Sequence, residues 1–283
     1  VNKISTVLPC DKQGSTQTYH IMNSFSLKNS ISNALYFIGS MLVLLGLWQL
    51  VTILTKNEIP GPIATWQVFM ELMSEPFYDR GPNDKGIGNQ LVSSLIRVFS
   101  GFGAGSIVAI PIGLLMGSSK TGMKLLNPIV QILRPVSPLA WFPLGLLAFK
   151  AAEGATIFII MITSLWPTLI NTAFGVASIP DDHKNVGKAF GFSTWKYITK
   201  IMLPYSIPHI ITGLRLSIGV AWMVIVAGEM LSGGVGIGFF VWDSWNALSL
   251  ERILVAILII GTVGLLLDKG FNALQNAFSY NQK

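Results

Sequence analysis

The sequence predicts an all-α integral membrane protein with about six transmembrane helices. Of its 283 residues, 51% are hydrophobic and only 11% are charged, and the mean hydropathy is +0.59. A chain of this length with so little polar surface is solvated mainly by lipid. Six apolar stretches are long enough to cross about 30 Å of hydrocarbon at about 1.5 Å per residue. They are residues 31–54, 91–116, 125–149, 154–177, 207–231 and 251–270.

The basic residues indicate membrane orientation rather than nucleic-acid binding. The net charge is +6, but Lys and Arg lie mainly in loops beside the apolar spans. With the N-terminus inside, eleven of the 19 basic residues fall on the inner side, five on the outer side and three within spans. Both termini are therefore predicted to be cytoplasmic, as an N-terminal tail over 1–30 and a C-terminal tail over 271–283. The first span follows a polar stretch without a small-residue cleavage site, so it is expected to be a retained anchor.

Cysteine and histidine usage argues against a disulfide or a metal centre. The one cysteine, Cys10, has no partner for an intrachain bridge, and the three histidines lack metal-ligand spacing. They are His20, His183 and His209. No metal site and no cofactor are expected in this chain.

The loop over residues 55–90 is predicted to lie outside. Its acidic residues outnumber its basic ones, and its "PGP" and "RGPND" stretches are turn signals.

The second span carries small residues at every fourth position, which places them on one helix face. They are Gly101, Gly105, Ala109, Gly113 and Gly117. Such a strip lets another helix backbone approach closely. A packed helix interface is therefore expected along this face.

The third span contains Pro128, Pro135, Pro138 and Pro143. Each proline removes a backbone donor and clashes with the preceding turn, so this span is not expected to be one regular helix. Transporters place broken helices beside the substrate path. A kinked packing helix is the alternative.

Three arginines and one glutamate inside the spans are expected to face the protein interior. They are Arg97, Arg134, Arg215 and Glu229, and with Pro135 they form the candidate substrate pathway. Arg134, beside the proline break, is the candidate to meet an anion, with a structural ion pair or a helix cap as the alternative. Arg97 and Glu229 both lie toward the outer ends of their spans and are expected to pair.

The loop over residues 180–206 has the signals of two short amphipathic helices. Pro180 favours the start of the first and Gly191 its end. Ser193 favours capping of the second, which is expected to stop at Leu203-Pro204. The second helix is predicted to present Trp195, Ile198 and Met202 on one side. Such helices dock into a protein groove or lie on the inner leaflet, and the pattern alone leaves both open.

This loop resembles the cytoplasmic signature of ABC importer permeases, which is Glu-Ala-Ala, three residues, Gly, nine residues and Ile-x-Leu-Pro. Gly191, nine residues and then Ile201-x-Leu203-Pro204 match its second half, whereas Asn185, Val186 and Gly187 replace Glu-Ala-Ala. The stretches "LRPVSPLAWFPLGLLAF", "TGLRLSIGVAWMVIVAGEML" and "GGVGIGFFVWD" are similar to the permeases of nitrate, sulfonate, taurine and bicarbonate importers. The resemblance covers residues 31–270 and is closest to the nitrate-type members.

The resemblance implies a type I ABC importer permease fold with a cytoplasmic coupling helix. It implies separate ABC ATPase subunits that bind ATP, a second permease copy in a homodimer, and a periplasmic or lipid-anchored solute-binding protein. The location implied is the bacterial inner membrane, and no nucleic acid is involved. The residues implied to couple to the ATPase are Asn185, Val186, Gly187, Ala189, Phe190, Gly191, Ile201, Leu203 and Pro204.

Other function classes have weaker support. "GSSKTGMK", residues 117–124, lacks the lysine of a phosphate-binding loop at Met123, so no ATPase is expected here. No catalytic cluster is evident, which argues against a membrane enzyme. A channel or secondary transporter would leave the coupling-type loop without a role. The expected cargo is nitrate or nitrite, with bicarbonate, cyanate or sulfonate and taurine as alternatives.

Overall fold

The computed structural model describes Ser32, residues 35–82 and residues 84–279, and helices dominate this part of the chain. The helices are α1 (Leu35–Leu54), α2 (Pro62–Ser74), α3 (Ile87–Ser118), α4 (Lys120–Leu133), α5 (Phe142–Phe149), α6 (Ala152–Ala177), α7 (Asp181–Ala189), α8 (Thr194–Tyr197), α9 (Leu203–Ser232), α10 (Ile237–Asn246) and α11 (Leu250–Ser279). The predicted tail over 1–30, with Cys10 and His20, and the last four residues of the predicted tail over 271–283 lie outside the described residues.

The predicted spans are confirmed as helices. Within the described residues, five helices are long and apolar enough to cross a membrane, namely α1, α3, α6, the continuous helix Thr194–Ser232 and α11. The bent pair of α4 and Pro138–Phe149 makes a sixth crossing if it is counted as one span. Because α11 continues to Ser279, most of the predicted C-terminal tail is helical.

The chain divides into two compact units, residues 1–64 and 65–283. In the first unit, a turn follows α1, with Lys56 and Asn57 at positive φ. The indole N–H of Trp48 donates to the Pro60 carbonyl at 3.0 Å and fixes this turn. Pro62 then begins α2, where its missing N–H needs no partner. The sequence predictions do not include this helix, which begins within the predicted outer loop.

The core of the second unit lies where α3, α6 and α9 meet. Val98, Ile160, Ile218 and Ile225 are fully buried there. The hydroxyl groups of Thr168 and Ser217 lie 2.8 Å apart and join α6 to α9. Hydrogen bonds of this kind hold helices together in lipid, where water cannot satisfy the same groups.

The third predicted span is broken, as its prolines indicate. α4 ends at Leu133, a 3₁₀ turn covers Pro138–Trp141, and α5 follows. The two halves are bent by 93°. Pro135 and Pro138 lie at the break and lack the N–H groups that a continuous helix would use. Pro128 lies inside α4 without ending it.

The strip of small residues on α3 packs against α6, which confirms the predicted interface. Gly101 faces Ile160 and Gly105 faces Ser164. The two glycines farther along the strip, Gly113 and Gly117, meet α6 in the same way. A Cβ atom at Gly105 would lie only 2.6 Å from the Met161 carbonyl oxygen, so the two backbones are in direct contact.

We expect Gly105→Leu to destabilise the protein by about 1–3 kcal/mol, because the added side chain would force α3 and α6 apart. Gly103→Leu is the matched control, since a Cβ atom at Gly103 meets nothing within 4 Å. Thermal unfolding of both variants in the same nanodiscs measures the difference. Equal unfolding temperatures would contradict this account of the packing.

The loop over residues 180–206 departs from the prediction in two respects. The second helix does not stop at Leu203-Pro204 but continues into α9 through a π-helical segment, Ile198–Met202. A widened turn accommodates a proline that an ordinary α-turn would reject, because the clash of Pro204 with the carbonyl four residues earlier is relieved. The same turn separates Trp195, which is exposed, from Met202, which is buried. The prediction that both lie on one side is therefore wrong.

Candidate functional site

The segment over residues 180–206 presents an exposed apolar surface. Pro180 precedes α7, Gly191 follows it at φ +60°, and the Ser193 hydroxyl caps α8 by accepting from the Lys196 N–H. Phe190 and Trp195 are 73% and 74% exposed. Large aromatic groups left uncovered on so short a segment are typical of a docking surface.

The other predicted coupling residues divide by exposure. Asn185, Val186, Ala189, Gly191 and Pro204 are exposed, Ile201 and Leu203 are half-buried, and Gly187 is buried. Gly187 lies against the ring of Tyr197. A Cβ atom at this position would lie only 2.9 Å from Tyr197 Cδ2. Gly187 therefore lets α7 lie close to the second helix.

A hydrogen bond from Lys184 holds the pKa of Asp181 below its usual value, so this first-turn carboxylate is ionised at neutral pH.

Arg134 lies at the bend between the two halves of the third span. It lines a cavity of about 610 Å³ together with Asn127 and Gln131. With Pro135 it also lines a second cavity, of about 300 Å³. Among the residues that the structure describes, the Arg134 guanidinium has no hydrogen bond or ion pair. A free cation at membrane depth is costly unless water, an anion or another subunit meets it.

Arg97 and Glu229 are in contact, as expected from their positions. Arg97 Nη1 lies 2.8 Å from Glu229 Oε1, and the two side chains are 14% and 0% exposed. Both Glu229 oxygens also lie 2.8 Å from the Ser94 hydroxyl. The pair joins α3 to the end of α9.

The carboxylate of Glu229 also holds the start of α10. Its second oxygen accepts from the Gly238 N–H at 2.9 Å, and Ser94 accepts from the Ile237 N–H at 2.8 Å. Gln90 accepts from the Gly236 N–H at 2.5 Å. Gln90 and Ser94 are not among the predicted site residues, although their spacing to Arg97 places all three on one face of α3.

Arg215 lies apart from these groups. It forms a bidentate pair with Asp268 of α11, with N–O distances of 2.8 and 3.0 Å. It also donates to Asn272 at 2.9 Å. These contacts join α9 to α11, and a role of Arg215 in the substrate pathway stays a prediction.

Comparison with known proteins identifies the family. Residues 109–279 match the family model described as "binding-protein-dependent transport system inner membrane component". The chain belongs to this permease family. It is a multi-pass membrane protein with the fold of an ABC importer permease.

Individual relatives agree with the family assignment. The chain is 44% identical to the nitrate import permease protein NrtB of Synechocystis sp. over 80% of this chain and 82% of the relative. It is 42% identical to the bicarbonate transport system permease protein CmpB of Synechococcus elongatus, over 86% and 88% of the two chains. The solved MetNI methionine ABC transporter in an inward-facing conformation is similar in fold, with a TM-score of 0.59 at 14% identity. That match covers 68% of this chain and 95% of the other.

Proposed function

We propose that this chain is the permease subunit of an ATP-driven importer that moves nitrate, or nitrite, from a solute-binding protein into the cytoplasm. The observation that supports an anionic cargo is the unpaired Arg134 guanidinium at the bend of the third span, between two cavities. The 44% identity to a protein named a nitrate import permease supports nitrate within that class. Bicarbonate is the second candidate, because a permease named for bicarbonate is similar to nearly the same degree.

The proposed assembly contains two copies of this chain, two ATPase subunits and the binding protein. The exposed Phe190 and Trp195 side chains support docking of the segment over residues 180–206 on an ATPase. ATP is bound and hydrolysed by those partners, so this chain is a non-catalytic subunit without a cofactor of its own. The excess of basic residues in the inner segments supports cytoplasmic termini.

In the proposed cycle, ATP binding closes the ATPases and draws the two coupling segments together. The permease then opens toward the binding protein and accepts the anion. Hydrolysis returns the permease to a state open to the cytoplasm. Arg134 supplies a weak positive potential in the path of the anion. A tighter binding site would hinder release of the anion into the cytoplasm.

Reconstitution in proteoliposomes tests this proposal. The complex with its ATPases and binding protein is expected to accumulate labelled nitrate or nitrite only when ATP is supplied to the ATPase side. Labelled bicarbonate, offered at the same concentration, is the comparison. Accumulation without the ATPases would indicate a channel or secondary transporter, and preferential uptake of bicarbonate would replace nitrate by the second candidate.

We expect Arg134→Gln to reduce anion flux by about tenfold or more, since it removes a charge-assisted contact to the anion. ATP hydrolysis by the assembled complex should persist. Arg134→Lys should retain part of the flux, because charge rather than bidentate geometry is required. Flux is measured in the same proteoliposomes, at equal amounts of assembled complex. Unchanged flux in Arg134→Gln would show that the anion passes elsewhere, and failure to assemble would make the arginine structural.

A further inference from the structure

The face of α4 that leads to Arg134 is polar along its whole length. Its polar side chains follow one another at spacings of four, three, four and three residues, and they are Lys120, Lys124, Asn127, Gln131 and Arg134. At 3.6 residues per turn, these five positions fall within about 80° of arc. The opposite face is apolar and exposed, with Leu125, Ile129 and Ile132. α4 is therefore amphipathic, and from residue 125 onward it lies in a predicted membrane span.

Three cavities follow this polar face. The one of about 440 Å³ is lined by Lys120 and Lys124, and the one of about 610 Å³ by Asn127, Gln131 and Arg134. These two share Met123 and Ala177 as lining residues. Arg134 also lines the third cavity, beyond the bend. Each cavity thus shares at least one lining residue with the next. Together the three cavities follow α4 from the bend to its N-terminal end.

The N-terminal end of this series lies beside the segment over residues 180–206. The cavity of about 440 Å³ is also lined by Lys184 of α7 and by Tyr197. Lys184 is paired with Asp181 at 3.0 Å, whereas Lys120 and Lys124 have no ion pair among the described residues. The cavity therefore keeps an excess of positive charge.

The polar groups along this face are free to bind a ligand. Within the part of the chain that the structure describes, the side-chain amides of Asn127 and Gln131 have no hydrogen-bond partner. Polar groups without partners at membrane depth are unfavourable unless water or a substrate reaches them. None of the described residues that line the three cavities is Asp or Glu. The lining therefore offers N–H donors and positive charge, and the carboxylate of Asp181, outside the lining, is paired with Lys184.

We propose that Asn127 and Gln131 bind the transported anion as it passes from Arg134 to the lysines at the cytoplasmic end of α4. This inference rests on the proposed function and names two contacts for it. Successive donors are about 4.5–6 Å apart along the axis. A small oxyanion can thus move from one contact to the next without full rehydration. Neutral amides hold an anion less tightly than a guanidinium does, which favours onward movement.

Cysteine accessibility tests the location of the path. Cys10→Ser removes the single cysteine, and Asn127→Cys or Gln131→Cys is then introduced into the complex with its ATPases and binding protein. Ile129→Cys, on the opposite face of α4, is the matched control. A membrane-impermeant anionic methanethiosulfonate, applied from the cytoplasmic side, is expected to modify residues 127 and 131 at least about tenfold faster than residue 129. Nitrate should slow the modification at 127 and 131. Equal rates at all three positions, or no effect of nitrate, would overturn the proposal.

Transport by near-isosteric variants separates binding from a structural role. Gln131→Leu is expected to lower nitrate flux by about tenfold, since one donor to the anion is lost. Gln131→Glu should lower flux further, because it replaces a donor by a negative charge. A merely structural glutamine would instead lower the yield of assembled complex in both variants while the flux per assembled complex stayed unchanged, and that result would overturn the proposal. If the unmodified complex imports nitrate and both variants match it, only this inference fails. If the unmodified complex does not import nitrate, the proposed function fails.

Discussion

Gly191→Pro is expected to abolish transport and transport-linked ATP hydrolysis while the protein still inserts into the membrane. Gly191 has φ +60°, whereas the proline ring fixes φ near about −65°. The substitution would therefore redirect the chain between α7 and α8 and misplace the exposed surface that is proposed to meet the ATPase. Nitrate uptake and ATP hydrolysis by the reconstituted complex measure the effect. Gly191→Asn is the matched control, because asparagine tolerates positive φ and should retain most activity.

Phe190→Asp is expected to have the same outcome by another route. The ring is 73% exposed in the protomer, so its loss should cost the fold little. A carboxylate in the proposed apolar interface would have to be desolvated without a partner. Phe190→Leu, which stays apolar, should retain much of the activity. Normal uptake by both Phe190→Asp and Gly191→Pro would contradict the coupling role.

Glu229→Gln is expected to destabilise the protein by about 3–5 kcal/mol, because it leaves the poorly exposed Arg97 charge with only the more distant and exposed Glu153, at 3.7 Å. The effect should extend to α10, whose first N–H groups depend on the same carboxylate and on Ser94. Thermal unfolding in nanodiscs measures the loss. Unfolding at the temperature of the unmodified protein would contradict the contribution assigned to this pair.

Two further variants support that measurement. The double variant Arg97→Gln with Glu229→Gln should lose less stability than the sum of the two single variants, since neither charge is then left unpaired. Glu75→Gln is the surface control. Glu75 pairs with Arg80 at 3.2 Å, but both side chains are about two-thirds exposed, so solvent screens the pair and little change is expected.

Much of the fold could be predicted because the signals are local. Long apolar stretches predicted the spans, and two prolines close together predicted the break after α4. Pro180, Gly191 and Ser193 each affect the backbone within one turn, and the ends of α7 and the start of α8 lie where they indicate. The pairing of Arg97 with Glu229 could be inferred because few partners exist for a charge at that depth.

Other features depend on contacts that no local pattern records. The continuation of the helix through Pro204 requires the widened turn at Ile198–Met202, whose register is linked to the burial of Met202. Gln90 and Ser94 gain their role only when residues about 140 positions later fold back onto α3. A serine in an apolar span is also common in ordinary helix packing. The residue type of Ser94 alone therefore does not indicate its hydrogen bond to the start of α10.

The unbroken helix over Thr194–Ser232 has a mechanical consequence. Its 39 residues form a rod about 58 Å long at 1.5 Å per residue. Trp195 stands at one end and Glu229, which holds α10, lies near the other. A tilt of this rod by about 5° about its midpoint would displace each end by about 2.5 Å, in opposite directions. Force applied at Trp195 by the ATPase that is proposed to dock there would thus reach the other end of the permease by leverage within a single covalent element, without a relay of separate side-chain movements.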